Sequence, residues 1–217
     1  MNQTWLVREI RRPASAALAG IFFGVTLGVV ILLLQSASPD LATDPATWIE
    51  VTARRDAVEL ALGVIPFAGI AFLWFIAVIR AQLGSREDRF FETVFLGSGL
   101  LFVAMLFASA AALKGALILV VSGAPVPATT LAYAWALATS LLGSFGARMV
   151  AVFMLSVTTM GARTGTVPRW LAVPGYVIAL LLLLTPPLPS LSQFLFPLWV
   201  IALSLYILLG RRSEEST

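Results

Sequence analysis

The stretch Ala14–Gln35 reads Ala-Ser-Ala-Ala-Leu-Ala-Gly-Ile-Phe-Phe-Gly-Val-Thr-Leu-Gly-Val-Val-Ile-Leu-Leu-Leu-Gln, with no charged residue anywhere in it. A helix needs roughly 20 mostly apolar residues to cross the hydrocarbon core of a bilayer. Arg11 and Arg12 precede the run and no charge interrupts it, so it reads as a membrane span. Its length exceeds the ~7–15 residues of a signal-peptide core, so the expectation is a retained helix.

Five further segments read the same way: Val58–Ile79, Phe90–Leu113, Thr130–Thr159, Trp170–Thr185 and Leu191–Gly210. Lipid offers no water to satisfy backbone N–H and C=O groups, which makes helices the expected form. The fold expected is therefore all-α: a polytopic membrane bundle of six transmembrane helices with short loops, one transmembrane domain over residues 1–217. The longest connection, 36–57, contains Thr43-Asp44-Pro45, a helix-start signal. Trp48, Ile49, Val51 and Thr52 then read as a short interfacial helix leading into the second span.

Composition agrees. The chain is 59% hydrophobic and 12% charged, against about 45–50% and about 25% in soluble domains. A chain of 217 residues could not hide that much apolar surface from water.

The absent residue types exclude whole chemistries. There is no Cys and no His. Disulfides, thiolate nucleophiles, His-ligated haem or zinc, and His general bases all drop out. Asp40, Asp44, Asp56 and Asp88 fall in loops or at span edges, so a membrane-buried aspartyl pair is not available. No phosphate-binding or dinucleotide motif is present. The expectation is a non-enzyme with no cofactor and no metal. A formal charge of +3 without a clustered basic face also excludes a nucleic-acid footprint.

Loop charges orient the bundle. Arg8, Arg11, Arg12, Arg80, Arg86, Arg89, Arg163, Arg169, Arg211 and Arg212 fall on one side of six crossings. The other side carries only Arg54 and Arg55, with almost nothing in 122–129 and 186–190. The positive-inside rule then places both termini in the cytoplasm.

Three groups of residues stand out as candidate sites. Ala16, Gly20, Gly24 and Gly28 recur every four residues, which puts them on one helix face. Small residues there admit a close neighbour: another span of the same chain, a second copy, or another membrane subunit. Ser140, Ser144 and Arg148 form a second face at the same spacing. A cation within apolar sequence is costly and is expected to face the bundle, about two turns above the cytoplasmic surface, with Glu92 as partner by depth or else a backbone carbonyl or water. Glu59 and Lys114 are placed to pair across the outer mouth. Gly97-Ser98-Gly99, Pro66 and Pro174-Gly175 mark places where helices bend or admit neighbours.

The runs Gly63-Val64-Ile65-Pro66-Phe67-Ala68-Gly69-Ile70-Ala71-Phe72-Leu73-Trp74 and Gly84-Ser85-Arg86-Glu87-Asp88-Arg89-Phe90-Phe91-Glu92-Thr93-Val94-Phe95-Leu96-Gly97-Ser98-Gly99-Leu100-Leu101-Phe102 resemble segments of uncharacterised multi-pass membrane proteins of actinobacterial type, a group with no assigned activity. The resemblance covers about forty residues and implies a bacterial inner-membrane protein. Two functional classes follow from the residues themselves. One is transport or sensing of a small solute through a polar track near Arg148. The other is a non-catalytic assembly subunit that packs through the glycine stripe.

The topology is directly testable. Reporter fusions after Gly84 and after Thr166 should read cytoplasmic, and fusions after Ala42 and Gly123 external. A cytoplasmic reading at Gly123 would sink the six-crossing arrangement.

Overall fold

A computed structural model describes residues 13–38, 52–83, 89–184 and 190–214. Among the described residues the chain forms α1 (Pro13–Ser36), α2 (Thr52–Leu83), α3 (Arg89–Val121), α4 (Ala128–Ser140), a π-helical turn (Leu141–Gly146), α5 (Ala147–Thr164), α6 (Arg169–Leu184), a 3-10 turn (Ser190–Phe194) and α7 (Leu195–Glu214), with no strand. α4, the π turn and α5 form one continuous rod. The interfacial residues Trp48, Ile49 and Val51 lie outside the described residues, whereas Thr52 is already the first residue of α2.

Five stretches are long and apolar enough to cross a membrane: Ala17–Ser36, Arg54–Arg80, Phe91–Val121, Ala128–Thr164 and Ser192–Leu209. The helices run past the expected limits of 58–79, 90–113 and 130–159, because helical hydrogen bonding continues into the interface after the apolar run ends. Among the described residues, the expected fifth span is the one apolar helix that falls short of a crossing length. α6 has 16 residues, about 24 Å of helix, against the roughly 30 Å of a hydrocarbon core. In the sequence Pro186 and Pro187 follow it closely, and proline disfavours α conformation in the residue before it.

Both faces of α1 are apolar, and they differ in what they touch. Phe23, Leu27 and Val30 are buried, while Leu18, Phe22, Val25, Val29 and Leu32 are exposed. Phe67, Ile70 and Trp74 on α2 and Val173 and Val177 on α6 are exposed likewise. A belt of large apolar side chains this broad belongs in lipid, since soluble monomers rarely expose contiguous patches beyond a few hundred Å². The protein is thus a multi-pass membrane bundle.

At mid-height the helices meet in a cluster of phenylalanine rings. Phe72 of α2 lies 4.5 Å from Phe23 of α1, 5.3 Å from Phe102 of α3, 5.1 Å from Phe153 of α5 and 5.7 Å from Phe196 of α7, centroid to centroid. Two of these contacts, with Phe102 and Phe196, are edge-to-face, as is the Phe102–Phe196 pair itself, the geometry favoured by the ring quadrupole and adding about 0.5–1.5 kcal/mol per pair. Bilayer lipid is as apolar as the rings, so the gain comes from dense packing rather than from leaving water.

α1 packs between α2 and α7, α3 bridges α2 and α5, α6 lies on α5, and α4 lies on α3. The glycine stripe explains the first of these. A Cβ on Gly20 would run into Ser204 Oγ and would come within 2.8 Å of Phe75, and one on Gly24 would come within 2.5 Å of Ile201 and 2.9 Å of the Pro197 carbonyl oxygen. Gly28 meets nothing within 4 Å. The side chain of Ala16 lies outside the described residues. At the other end of the bundle, Gly165 takes φ 74°, a left-handed conformation that closes α5, and the Val167 N–H donates to the Gly161 carbonyl at 3.0 Å. This tight corner lays α6 back along α5.

The stripe separates by substitution. Gly24→Ala should lower thermal stability, with a cost of about 1–3 kcal/mol from overpacking. Gly28→Ala should leave it equal or slightly raised, since alanine favours a helix by up to about 1 kcal/mol over glycine. Equal melting points for the two variants would show that the α1–α7 contact is not tight.

Candidate functional site

The helices differ in how far they reach beyond the phenylalanine cluster, and this difference makes a cavity. The lower end of the bundle is the one where α2 ends and α3 begins. Above Phe72, α2 continues to Thr52, and above Phe102, α3 continues to Val121, each about 30 Å of helix. α7, by contrast, begins at Leu195, and Phe196 in its first turn already belongs to the ring cluster. Among the described residues, only the Ser190–Phe194 3-10 turn extends it upward, by about 10 Å at 2 Å per residue. Among those residues the upper half of the bundle therefore lacks the filling that α6 and α7 give the lower half.

The resulting cavity has a volume of about 570 Å³, within the ~300–1,000 Å³ range of small-molecule sites. Gln35 and Ser38 at the top of α1, and Ser192 and Gln193 of the 3-10 turn, supply its polar upper wall. Trp135, Ala138, Leu142, Gly143, Ala147 and Val150 line one side, and Leu27 and Ile31 the opposite side. Phe102 and Phe196 from the ring cluster form its base. Two hydroxyls on the wall are already committed to backbone. Ser109 Oγ donates to the Ala138 carbonyl at 3.0 Å, and Thr139 Oγ1 donates to the Trp135 carbonyl at 2.9 Å. Among the described residues, no charged side chain lines the cavity.

The π turn forms part of this wall. The Ala147 N–H donates to the Leu142 carbonyl, five residues back, so one turn is wider than α. Gly146 sits against α3, where an added Cβ would lie 3.7 Å from Met105. Gly143 and Gly146 are weak helix formers, which eases the departure from α geometry. The expectation of a continuous stripe through Ser140, Ser144 and Arg148 assumed α spacing throughout. Across 141–146 that spacing does not hold.

Arg148 donates from Nη1 to the Ser144 carbonyl at 2.7 Å and is half-buried. Ser140 is exposed and Ser144 half-buried, and none of the three lines the cavity. The expected depth is corrected as well. α5 runs from Arg148 to Thr164, about 24 Å of helix, which places Arg148 near mid-height rather than two turns from the lower surface. Glu92 is accordingly not its partner. Gly146 is level with Met105, and about 15–20 Å of α3 separates that level from Glu92.

Glu92 instead accepts from Arg80 of α2 at 2.6 Å, where both side chains are about half exposed. Beside this ion pair, the Arg163 guanidinium of α5 stacks over the Phe91 ring at 4.9 Å. These contacts tie α2, α3 and α5 at the arginine-rich lower end. At the upper end Glu59 and Lys114 are both exposed and form no ion pair with each other. Val58 and Leu113, their neighbours in sequence, are the positions buried in the α2–α3 seam. The next residue on each helix is turned 100° away from it.

Among the described residues, three buried polar atoms have no partner: Thr158 Oγ1, Trp199 Nε1 and Ser204 Oγ. Two of them meet at Gly175 of α6, whose missing Cβ would lie 2.8 Å from both Thr158 Oγ1 and Trp199 Nε1. Trp199 is one turn below Phe196, and Thr158 lies below Phe153, so this polar spot sits beneath the ring cluster. Threonine and tryptophan in apolar runs read as packing or interfacial anchoring, so sequence alone carried no signal for it.

A double-mutant cycle separates the two possible partners of Glu92. Arg80 and Glu92 should couple by about 0.2–1 kcal/mol, the range for exposed pairs. Arg148 and Glu92 should show no coupling beyond error. A measurable Arg148–Glu92 term would overturn the assignment of depth.

Compared with protein-family models, curated proteins and solved structures, the chain matches none, so the functional reading rests on its own geometry.

Proposed function

We propose that this chain is a bacterial inner-membrane protein that binds a small solute in an outward-facing cavity and moves or senses it across the ring cluster. The cavity between α1, α3, the α4–α5 rod and the α6–α7 hairpin is the observation that carries the reading. Arginine-rich connections at the lower end make that end cytoplasmic by the positive-inside rule, with both termini there. The cavity then opens to the outside.

Two features support movement beyond binding. Phe102 and Phe196 form a floor of packed rings one layer thick, and the unpartnered Thr158 and Trp199 groups lie just below it. Such groups cost about 1–3 kcal/mol each when unpaired, and a polar station under a closed floor gives them a use. The Ser190–Phe194 3-10 turn ahead of α7 brings Ser192 and Gln193 to the cavity wall, irregular backbone of the kind that lines substrate sites in transporters. The assembly reading loses its main support, since Gly20 and Gly24 are covered by α7 and α2 of the same chain. Arg148 stands outside the cavity wall and is not required for entry.

The absence of native cysteine makes accessibility a clean test. Gln193→Cys and Ala147→Cys should react with a charged, membrane-impermeant maleimide added from outside, because both positions line the cavity. Val177→Cys, exposed on α6 in the apolar belt, should stay unreactive, since a thiol in lipid does not ionise. Failure of both cavity positions to label would remove the outward cavity.

A further inference from the structure

Hydroxyls on the helices of this bundle turn back onto their own backbone where they can. Thr139, Ser156 and Thr164 do so, at 2.9, 2.9 and 3.0 Å. Thr158 on α5 does not, although it is 0% exposed. Its neighbour Thr159 pairs directly across the α5–α6 seam, accepting from the Tyr176 hydroxyl at 3.0 Å. Gly175 precedes Tyr176, so the residue that Thr158 meets on α6 has no side chain to offer. On the third side stands Trp199 of α7, 3% exposed, whose Nε1 has no acceptor. All three residues lie inside described helices.

Gly175 fixes the spacing of the two polar groups. A Cβ built on it would lie 2.8 Å from Thr158 Oγ1 and 2.8 Å from Trp199 Nε1, with the ring carbon Cε2 farther off at 3.3 Å. The indole therefore turns its nitrogen edge to this notch, and the two polar atoms are no more than twice that 2.8 Å apart. Points 2.8 Å from both atoms form a circle around the line joining them, of which the Cβ position is one. Carbon is too close at that distance, since carbon atoms pack at about 3.5–4.0 Å. A hydrogen-bonded oxygen belongs there, at about 2.7–3.2 Å.

The chemistry of the pair narrows the occupant. An indole N–H only donates, while a threonine hydroxyl donates and accepts. A bridging group must accept from Trp199 and can then donate to Thr158. Water does both with a single atom, and a buried water needs about two to four such partners. A metal ion gains nothing from Trp199, whose N–H has no lone pair to give. Ser204 Oγ faces Gly20 of α1 instead and takes no part.

We infer that Thr158, Gly175 and Trp199 form a binding site for one water molecule, which accepts from the Trp199 N–H and donates to the Thr158 hydroxyl. It joins α5 to α7 across Gly175 of α6, beneath the ring cluster. For a solute crossing the floor, this water is the group that a solute hydroxyl would replace, bond for bond. That consequence rests on the transport reading. The site itself does not, because none of its three residues lines the outward cavity, so the two can fail separately.

A stability cycle in the full chain, reconstituted in phosphatidylcholine nanodiscs, reads the bridge by its sign. Replacing an unpaired buried hydroxyl by a methyl is neutral or stabilising, whereas breaking a bridge strands the group at its other end. Thr158→Val should therefore lower the melting temperature, by about 2–4 °C for a chain of this size. In a Trp199→Phe background, where the stranded N–H is gone, the same change should leave it unchanged or raise it. A rise or no change in the wild-type chain, or an equal fall in both backgrounds, would overturn the inference.

A crystal structure of the wild-type chain, at a resolution that shows ordered water, decides the occupant even if Trp199→Phe fails to fold. It should place one water within about 2.7–3.2 Å of both Thr158 Oγ1 and Trp199 Nε1. A bromide soak should leave no anomalous peak there. A direct hydrogen bond between the two side chains, a Thr158 hydroxyl turned back to the Met154 carbonyl, a bromide peak, or no density between the two groups would each overturn it.

Discussion

Phe72 is the contact on which the rest of the bundle depends. Four other helices bring one ring each to it, and every one of those rings is nearly or wholly removed from solvent. Lipid gives helices no hydrophobic reason to associate. Close, geometrically specific packing has to supply it, and rings in tilted and edge-on contact do so at a single level of the bundle. Gly20 and Gly24 let α1 come near enough for Phe23 to reach that level, and Gly99 does the same for α3, where an added Cβ would lie 2.6 Å from Ile76.

Anchoring α7 by its first turn has a consequence at the opposite end. Because Phe196 is needed at mid-height, α7 begins there, and among the described residues only the 3-10 turn precedes it. α2 and α3 continue upward regardless, since their sequences stay helical and apolar well past the cluster. The space between tall and short elements becomes the cavity, and the 3-10 turn ahead of α7 becomes part of its wall. Irregular backbone at membrane depth is tolerated where it borders water or is buried in protein, and the 3-10 turn with Ser192 and Gln193 meets that condition on the cavity side.

The two kinds of polar group in the bundle behave differently for the same reason. Arg148 can satisfy itself locally, reaching back one turn to the Ser144 carbonyl, so a cation at mid-height needs no acidic partner from another helix. Thr158 and Trp199 cannot. Thr158 makes no hydrogen bond back to its own helix, whereas Ser156 does, to the Val152 carbonyl at 2.9 Å. A buried group without a local acceptor depends on what occupies the space beside it, and at Gly175 that space is kept clear of side chain.

The sequence by itself determined that the chain is an all-helical membrane bundle, because runs of apolar residues longer than a bilayer is thick admit no other backbone in lipid. It also determined which chemistries are closed, because His and Cys are absent whatever the fold. It marked Ala16, Gly20, Gly24 and Gly28 as a close-contact face, because spacing by four defines a helix face; Gly20 and Gly24 make that contact and Gly28 does not. The covering partner was a tertiary matter, since a face says nothing about which neighbour fills it. Depth was beyond its reach too: Glu92 and Arg148 are matched in charge yet lie on different levels, which depends on how α3 and α5 slide along each other. The cavity was the least legible of all. Its wall is built from residues such as Ala147, Gly143 and Gln193 that carry no pattern in sequence, and it exists only because packing Phe196 against Phe72 stops α7 halfway up the bundle.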